Sequence, residues 1–508
     1  MQVTSAWKVC RWLEGCFDFL DQLLFGGRTS VMNLHDTYQR NADGALNKGK
    51  PCRAMGIDIG TTTVSVVLLD GMSGELLGKS TVVHGADLPG DLPEAHLQDP
   101  DKLTTAALQA AEALMEQCGA SDCIGLTGQM HGMLYVNGEG QAVSPLYTWR
   151  DGRGVLPGNG GSCAEQLRRT GGEASAGFGL TTHFWLQKQG GIPQNAAGMV
   201  TISDYLGMRL CGRTVPIIAR DMAASWGSFD LRQGDFCREA LERCGVDTVY
   251  LPEVAWEHGV MGYVAGGCGK GAPVVVSLGD NQASVFGSVR DLCSTVLLNI
   301  GTGSQISVGT TGHHDCGGSI ELRPCVGGTS LLVGSGLCGG SAYATLERFY
   351  REIAGTETPM YGMMEQQARQ FLYEYGMEAA WKVRTTFAGT RSDPDVRGMV
   401  WGISTGNFRP GALSLGVLQG ILEELHGMYR QMCEMTGTEA IRLVGSGNGI
   451  RKNALLRELA EERFGMALEV PIWEEEAACG AALHALAACG LQNSIEAAQQ
   501  LIRYGSAK

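Results

Sequence analysis

No run of 18 or more consecutive apolar residues occurs in this sequence, so it holds no candidate for a membrane-spanning helix. The apolar stretch from Trp12 to Phe25 is broken by Glu14, Asp18 and Asp21 and is not a signal-peptide core. Positive charge is scarce: 39 Lys and Arg stand against 53 Asp and Glu, a formal net charge of -14. That balance argues against a general nucleic-acid binder and against a binder of anionic membranes, although a local loop of an acidic protein can still cradle phosphate. The 17 cysteines are scattered, odd in number and include no Cys-x-x-Cys pair. Zinc ribbons and thioredoxin-like sites are therefore not indicated, and reduced, buried thiols in a cytoplasmic protein are expected. Also missing are the Gly-x-x-x-x-Gly-Lys-Ser/Thr loop and the protein-kinase motif set, which removes those two nucleotide folds. No collagen-like period or low-complexity tract accounts for the 74 glycines; they mark many turns and close backbone approaches.

What is present is material for two or three domains, in 508 residues of which 44% are apolar. Residues 1–54 differ from the rest. Trp12, Cys16, Phe19, Leu20, Leu23 and Leu24 make a helical stripe, and Gly26 to Arg53 is polar and aperiodic. This segment is expected to be a dispensable extension, with Met55 as the functional start. From Met55 onward strands alternate with helical patterns, which predicts an α/β fold. Strands are expected at 55–59, 64–70, 123–127, 272–278, 294–300, 305–309 and 442–444, and a hairpin over 133–148 around Asn137-Gly138. Helices are expected at 103–118, 162–169, 182–189, 203–211, 237–244, 282–287, 341–353, 362–375, 413–435, 453–463 and 475–489. The design strand, Gly/Thr/Ser turn, strand occurs at Met55–Asp70 and again at Ser294–Gly309, about 240 residues on. Two copies of one hairpin predict two similar domains facing a cleft, 55–290 and 291–508.

Three Gly-rich turns follow strands: Gly60-Thr-Thr-Thr63, Gly301-Thr-Gly-Ser304 and Gly445-Ser-Gly-Asn-Gly449. Gly60 permits backbone angles closed to other residues, and the hydroxyls and amides of Thr61, Thr62 and Thr63 suit phosphate oxygens. Asp58 suits Mg²⁺, which prefers hard oxygens and keeps several waters. The alternative is an ordinary hairpin. Asp280 follows a strand beside Gly279, where α/β clefts place reactive groups, and a carboxylate there can accept the proton of an attacking hydroxyl. The alternative is a helix N-cap. His131 lies between glycines in Gly128-Gln-Met-His-Gly132, which suits close approach to a small ligand; the alternative is a structural histidine. Trp149, Asp151 and Arg153 follow the hairpin, the charged pair suiting several hydroxyls and the aromatic an apolar sugar face. Against that stands a surface ion pair of little worth.

Taken together these motifs resemble the FGGY carbohydrate kinases, over about 55 to 490. The resemblance is carried by Asp58-x-Gly-Thr-Thr62, Gly128-Gln-Met-His-Gly132, Thr148-Trp-Arg-Asp-Gly-Arg153, Asp204-Tyr-Leu206, Gly279-Asp-Asn-Gln282 and Asn299-Ile-Gly-Thr-Gly-Ser304. It continues through Gly389-Thr-Arg-Ser392, the helix from Gly416 to Leu425, Gly445-Ser-Gly447 and Gly480-Ala-Ala-Leu483. It implies two actin-like (ribonuclease H-like) ATPase domains with a cleft between them. It implies ATP and Mg²⁺, with Asp280 as catalytic base and Asp58 as the Mg²⁺-linked aspartate. Gly60, Thr61, Thr62 and Thr63 match the first phosphate loop, and Gly301, Thr302 and Gly303 the second. Gly445, Gly447 and Asn453 fall in the adenosine region, and Gln129, Met130, His131, Trp149, Asp151 and Arg153 where the sugar binds. The Gln-Met-His stretch is shared with members acting on xylulose. Thr148–Arg153, Gly177-Phe-Gly179 before Phe184-Trp-Leu186, and Ala223–Phe229 are more like members acting on sedoheptulose. The implied partner is a small-molecule ketose phosphorylated at its terminal primary hydroxyl, sedoheptulose before xylulose, by a monomer or homodimer with no nucleic-acid or membrane partner. Thr390, where the family often has Glu, and Arg150, where it often has a shorter polar residue, depart from the pattern. The same fold also serves non-kinase ATPases. Against these stand the missing Cys-x-x-Cys of the iron-sulfur activators and the Gln129–His131 and Trp149–Asp151 stretches, which chaperones and filaments do not need. Asp280 argues against a sugar sensor without catalysis.

Overall fold

The first described strand, β1 (Arg53–Ile59), is apolar at nearly every position and buried on both faces, as a strand at the centre of a covered sheet must be. The computed structural model describes residues 52–505 apart from 256–258, 268, 313, 315, 318, 391, 392 and 394. The expected N-terminal stripe, nearly all of the 1–54 extension, and Arg391 and Ser392 of the Gly389 motif lie outside the described residues.

In the first lobe β1 is followed by β2 (Thr63–Asp70), β3 (Leu76–Val83), α1 (Pro100–Cys118), β4 (Cys123–Gly128), α2 (Ile202–Cys211) and α3 (Arg220–Ser225). Then come β5 (Val260–Tyr263), β6 (Pro273–Val275), β7 (Leu278–Gly279) and α4 (Asp280–Phe286). The sheet runs β5-β6-β4-β1-β2-β3, with β7 also on β4. β1, β2 and β3 form an antiparallel meander, and β4, β6 and β7 run parallel to β1.

The second lobe repeats the plan with β8 (Thr295–Ile300), β9 (Ser304–Thr310), β10 (Ile320–Pro324), β11 (Ser330–Gly336), α5 (Gly340–Ala354) and α6 (Pro410–Thr436). It closes with β12 (Arg442–Ser446), α7 (Gly447–Lys452), α8 (Ala454–Phe464), β13 (Leu468–Pro471), α9 (Glu476–Ala488) and β14 (Tyr504–Gly505). The order is β10-β11-β9-β8-β12-β13-β14. Again a hairpin, β8–β9, is flanked on its first strand by a parallel neighbour, β12. The duplicated hairpins of the sequence are thus equivalent strands of two equivalent sheets.

Helix α9 comes late in the chain and packs on the first lobe. A Cβ at Gly56 of β1 would stand 1.8 Å from the Ala478 carbonyl oxygen, and one at Gly125 of β4 the same distance from that of Ala481. On its other side, a Cβ at Gly480 would stand 1.8 Å from the Ala283 oxygen of α4. Backbone therefore touches backbone on both faces of α9, which is why its interior tolerates a residue of poor helix propensity. The α4 residues Ala283, Val285 and Phe286 bury against Leu297, Leu331, Val333 and Val444 of the second sheet.

Local departures from expectation have identifiable causes. Asp280 is the first residue of α4 and Gly279 is its N-cap, with no side-chain cap bond, so the N-cap reading of Asp280 does not hold. The strand expected over 272–278 is split, because the Asp204 carboxylate accepts from the backbone and hydroxyl of Ser277 (3.2 and 2.7 Å) where a ladder partner would sit. The turn near Asn137 is wider than two residues. Asn137 donates to the Gln141 carbonyl and the left-handed residue is Gly140, at φ 75°, not Gly138. One leg of it, Leu134–Val136, ladders with Gly198–Val200 instead of with the other leg. Helix α3 has no counterpart among the expected elements.

Candidate active site

Strand register brings the candidate catalytic groups together. Ile59 pairs with Gly128, and Gly128 with Gly279. Because β1, β4 and β7 run parallel, the residues that follow them, Gly60, Gln129 and Asp280, emerge side by side at one sheet edge, the usual site of ligand chemistry in α/β folds. Asp58, one step earlier on β1, shares that edge. Burial and then the charges of Asp280 and Glu475 push the Asp58 carboxyl up to about 7. Burial pushes Asp280 up to about 6, opposed by the Arg323 guanidinium and the Asn281 backbone N–H. Two enclosed carboxylates that repel each other make a favourable cation position. Asp58 Oδ1 is enclosed without a hydrogen-bond partner among the described residues, and that orphaned hard oxygen fits Mg²⁺. No group of three or more His, Cys, Asp or Glu that could hold a metal ion occurs among the described residues.

The first Gly-rich turn is closed by the Gly60 N–H on the Thr63 carbonyl at 3.0 Å. Gly60 does not use the left-handed region it was expected to need; a Cβ there would meet only the Thr63 oxygen, at 3.1 Å. The left-handed backbone is at Gly447 of the third turn, at φ 81°, where a Cβ would meet the Ile300 oxygen at 2.7 Å. Thr61 is fastened from two sides: Gln98 Nε2 donates to its carbonyl at 2.8 Å and Trp149 Nε1 to its hydroxyl at 2.9 Å. Thr62 is exposed and Thr63 half-buried. Gln129 Nε2 donates to Gln98 Oε1 at 3.0 Å, so a chain of amides links Gln129 to this loop. Gln129 Oε1 is enclosed without a hydrogen-bond partner among the described residues.

The second turn rests on Gly339 and Gly340. The N–H groups of Gly339 and Ser341 donate to the Thr302 carbonyl and that of Gly340 to the Gly301 carbonyl, and a Cβ at Gly339 would stand 2.3 Å from the Gly303 oxygen. Among the described residues nothing lies within 4 Å of a Cβ at Gly301, which leaves room for a ligand on this face of the loop. Gly445 is inside β12, packed against Ile450 and Leu468. Asn453 caps α8 by accepting from Leu456 N–H at 2.9 Å.

His131 sits at φ 71°, a strained angle for a non-glycine. Its N–H donates to Ser225 Oγ at 3.0 Å, its Nδ1 lies 2.6 Å from the Ser225 carbonyl oxygen, and its ring stacks on Phe178 at 4.6 Å. Helix α3, which supplies Ser225, also supplies Asp221, whose Oδ2 accepts the Gly279 N–H at 2.8 Å. Met130, His131, Phe178, Asp221 and Ser225 line a cavity of ≈ 550 Å³, which continues to Glu173, Glu321 and Arg323. Trp149 is 43% exposed, with Arg150 over its ring. Asp151 and Arg153 take another position. They are 0% and 1% exposed and bound to each other at 2.7 Å, with Arg153 between Tyr147 and Trp185 and also on Asp91. They are thus no surface pair, and neither lines this cavity. Gln98, Asp221, Glu321 and Arg323 were not singled out in the sequence, and Ser225 entered only as part of the Ala223–Phe229 stretch. Asp221 and Ser225 sit on the unforeseen helix, and nothing local marks Arg323.

Residues 53–287 match the model for the FGGY family of carbohydrate kinases, N-terminal domain. The sedoheptulokinase of Mus musculus is 29% identical over 457 residues, which cover 81% of this chain and 92% of that protein. The xylulose kinase of Escherichia coli (strain K12) is 26% identical over 269 residues, 49% of this chain and 52% of that protein. Among solved structures, a gluconate kinase from Lactobacillus acidophilus superposes with a TM-score of 0.77 at 19% identity, covering 90% of this chain and 93% of that one. The fold is the two-lobed, actin-like (ribonuclease H-like) one.

Proposed function

Because this chain belongs to the FGGY family of carbohydrate kinases, we propose that it transfers the γ-phosphoryl group of ATP to the terminal primary hydroxyl of sedoheptulose. The product is sedoheptulose 7-phosphate. The observation that carries the reading is that Asp58 and Asp280 share one sheet edge, at the ends of strands flanking β4, with the Asp280 charge raising the Asp58 carboxyl, beside a cavity lined by Met130 and His131. Thr61 to Thr63 and Gly301 to Gly303 take the phosphates from the two lobes, with Gly445, Gly447 and Asn453 toward the adenosine. Asp58 would hold Mg²⁺, which supplies charge neutralisation for the phosphates. The sugar hydroxyl attacks phosphorus in line, Asp280 accepts its proton, an O–P bond forms and the bond to ADP breaks. Phosphoryl transfer asks mostly for positioning and charge stabilisation. Gln129, His131 and Trp149 position the sugar, while Asp151 and Arg153 hold the loop that presents Trp149.

The substrate is supported by likeness to the mouse sedoheptulokinase over most of both chains. Xylulose is the second reading, favoured by the Gln129-Met-His131 stretch and by likeness to the bacterial xylulose kinase over half the chain. A coupled ADP-release assay over sedoheptulose, xylulose, ribulose, fructose and glycerol decides. The highest kcat/KM is expected with sedoheptulose; a highest value with xylulose replaces the substrate, and no turnover with any of the five overturns the reading. No helix among the described residues is long and apolar enough to cross a membrane.

A further inference from the structure

We propose that Arg323 of strand β10 is a positioning residue for Asp280: from the second lobe it holds the first turn of α4 and so keeps the base aimed at the sugar hydroxyl. This rests on the ketose kinase reading above. Asp280 opens α4, a helix of seven residues whose N-cap, Gly279, makes no side-chain cap bond. The aim of a side chain at that position is set by the backbone on either side of it. Before it, the Gly279 N–H is held by Asp221 of the first lobe at 2.8 Å. After it, two successive residues are held by two successive residues of β10. Arg323 Nη1 donates to Asn281 Oδ1 at 3.2 Å, and Gln282 Nε2 donates to the Pro324 carbonyl oxygen at 3.1 Å.

Arg323 is 9% exposed, and its Nε and Nη2 donate to Glu321 Oε2 at 3.0 and 2.6 Å. Residues 321 and 323 are two apart on one strand, so their side chains leave the same face. The guanidinium is planar, and three donors engaged in this way orient the whole fork. Asn281 in turn donates to Gln305 Oε1 at 2.5 Å, and Gln305 to Ser335 Oγ at 3.2 Å. Both ends of the Asn281 amide are thus engaged by second-lobe residues. Burial raises the Asp280 carboxyl, and the Arg323 charge opposes it ahead of any other group, so the guanidinium acts at the reacting end. In-line transfer requires the base in place, and a displacement of about 1 Å can cost about 100-fold in rate. A lysine at 323 keeps the charge and loses the fork.

The test measures kcat, the KM values for sugar and ATP, and Tm in the wild-type protein, Arg323→Lys and Glu321→Gln, with the ketose that the wild-type protein turns over best. The Glu321 side chain is 42% exposed, so Glu321→Gln loosens the fork without opening the core and decides alone should Arg323→Lys not fold. Arg323→Lys is expected to lose about 10-fold or more in kcat and Glu321→Gln about 3-fold, with both KM values within about 2-fold of wild type. A loss carried by KM would make Arg323 a substrate-binding group, and an unchanged kcat with a lowered Tm would make it a structural brace. Either result overturns the proposal, as does no change at all. A wild-type protein that releases no ADP with any of the five sugars overturns the underlying reading instead.

Discussion

The indole N–H of Trp149 donates a 2.9 Å hydrogen bond to the hydroxyl oxygen of Thr61, tying the candidate sugar site to the candidate phosphate loop. An indole N–H is a donor only. The Thr61 oxygen must therefore accept, which leaves its own O–H free to turn toward a phosphate oxygen. The backbone of Trp149 is fixed in turn by Gly177, at φ 72°, where a Cβ would stand 1.8 Å from the Trp149 carbonyl oxygen.

Trp149→Phe keeps the aromatic face and removes the donor. A hydrogen bond of this kind is worth about 1 kcal/mol, so kcat/KM for ATP is expected to fall about 5-fold. Thr61→Val is expected to cost more, because the phosphate contact goes as well. Combining the two should show a coupling of about 1 kcal/mol in a double-mutant cycle; strictly additive losses would mean that the bond has no role in turnover.

Asp280→Ala is expected to remove nearly all sugar phosphorylation, about 10²- to 10⁴-fold in kcat, while calorimetry shows ATP still bound. In the wild-type protein the base works as the carboxylate, so kcat/KM should decline as pH falls through about 6. A profile flat down to pH 4.5 would remove Asp280 as the base.

Asp58 carries an opposite consequence for stability. Burial lifts its carboxyl from the ordinary 3.8 to about 7 in the folded protein, which therefore holds this proton more tightly than the unfolded chain does. Stability is therefore lost as pH rises from about 4 through about 7. Asp58→Asn is expected to raise Tm at pH 8 while reducing activity, with the gain in Tm vanishing near pH 4. An equal shift at both pH values would show that charge is not the cause.

Gly480→Ala sets two effects against each other. Alanine is favoured over glycine in a helix by about 1 kcal/mol. The added Cβ would stand 1.8 Å from the Ala283 oxygen, a backbone atom that cannot swing away. Overpacking of that kind costs about 1–3 kcal/mol and occasionally more, so net destabilisation in urea is expected. A more stable variant would show that α4 and α9 can separate at no cost.

The local sequence was enough for elements whose signal is short-range. Met55–Asp70 and Ser294–Gly309 announce two hairpins by apolar runs ending in Gly and hydroxyl residues, and both are present at nearly the expected bounds. The duplication itself was legible because each hairpin needs the same turn between the same kind of strand. Helix α3 was not, since its residues Arg220–Ser225 show no amphipathic period over one and a half turns.

The sequence by itself determined that Asp58, the Thr61 loop and Asp280 stand at strand ends, because apolar runs closed by glycine are local facts. The tertiary structure decided their company. Parallel pairing of β1, β4 and β7 aligned Asp280 with Gln129 at one edge, and the mutual burial of Asp151 and Arg153 drew that pair inside. The return of the chain through β10 set Arg323 beside Asn281. Apart from Asp151 and Arg153, such neighbours are separated by tens to hundreds of residues, and which of them meet depends on the sheet register and on what else must be buried, quantities that no window of sequence contains.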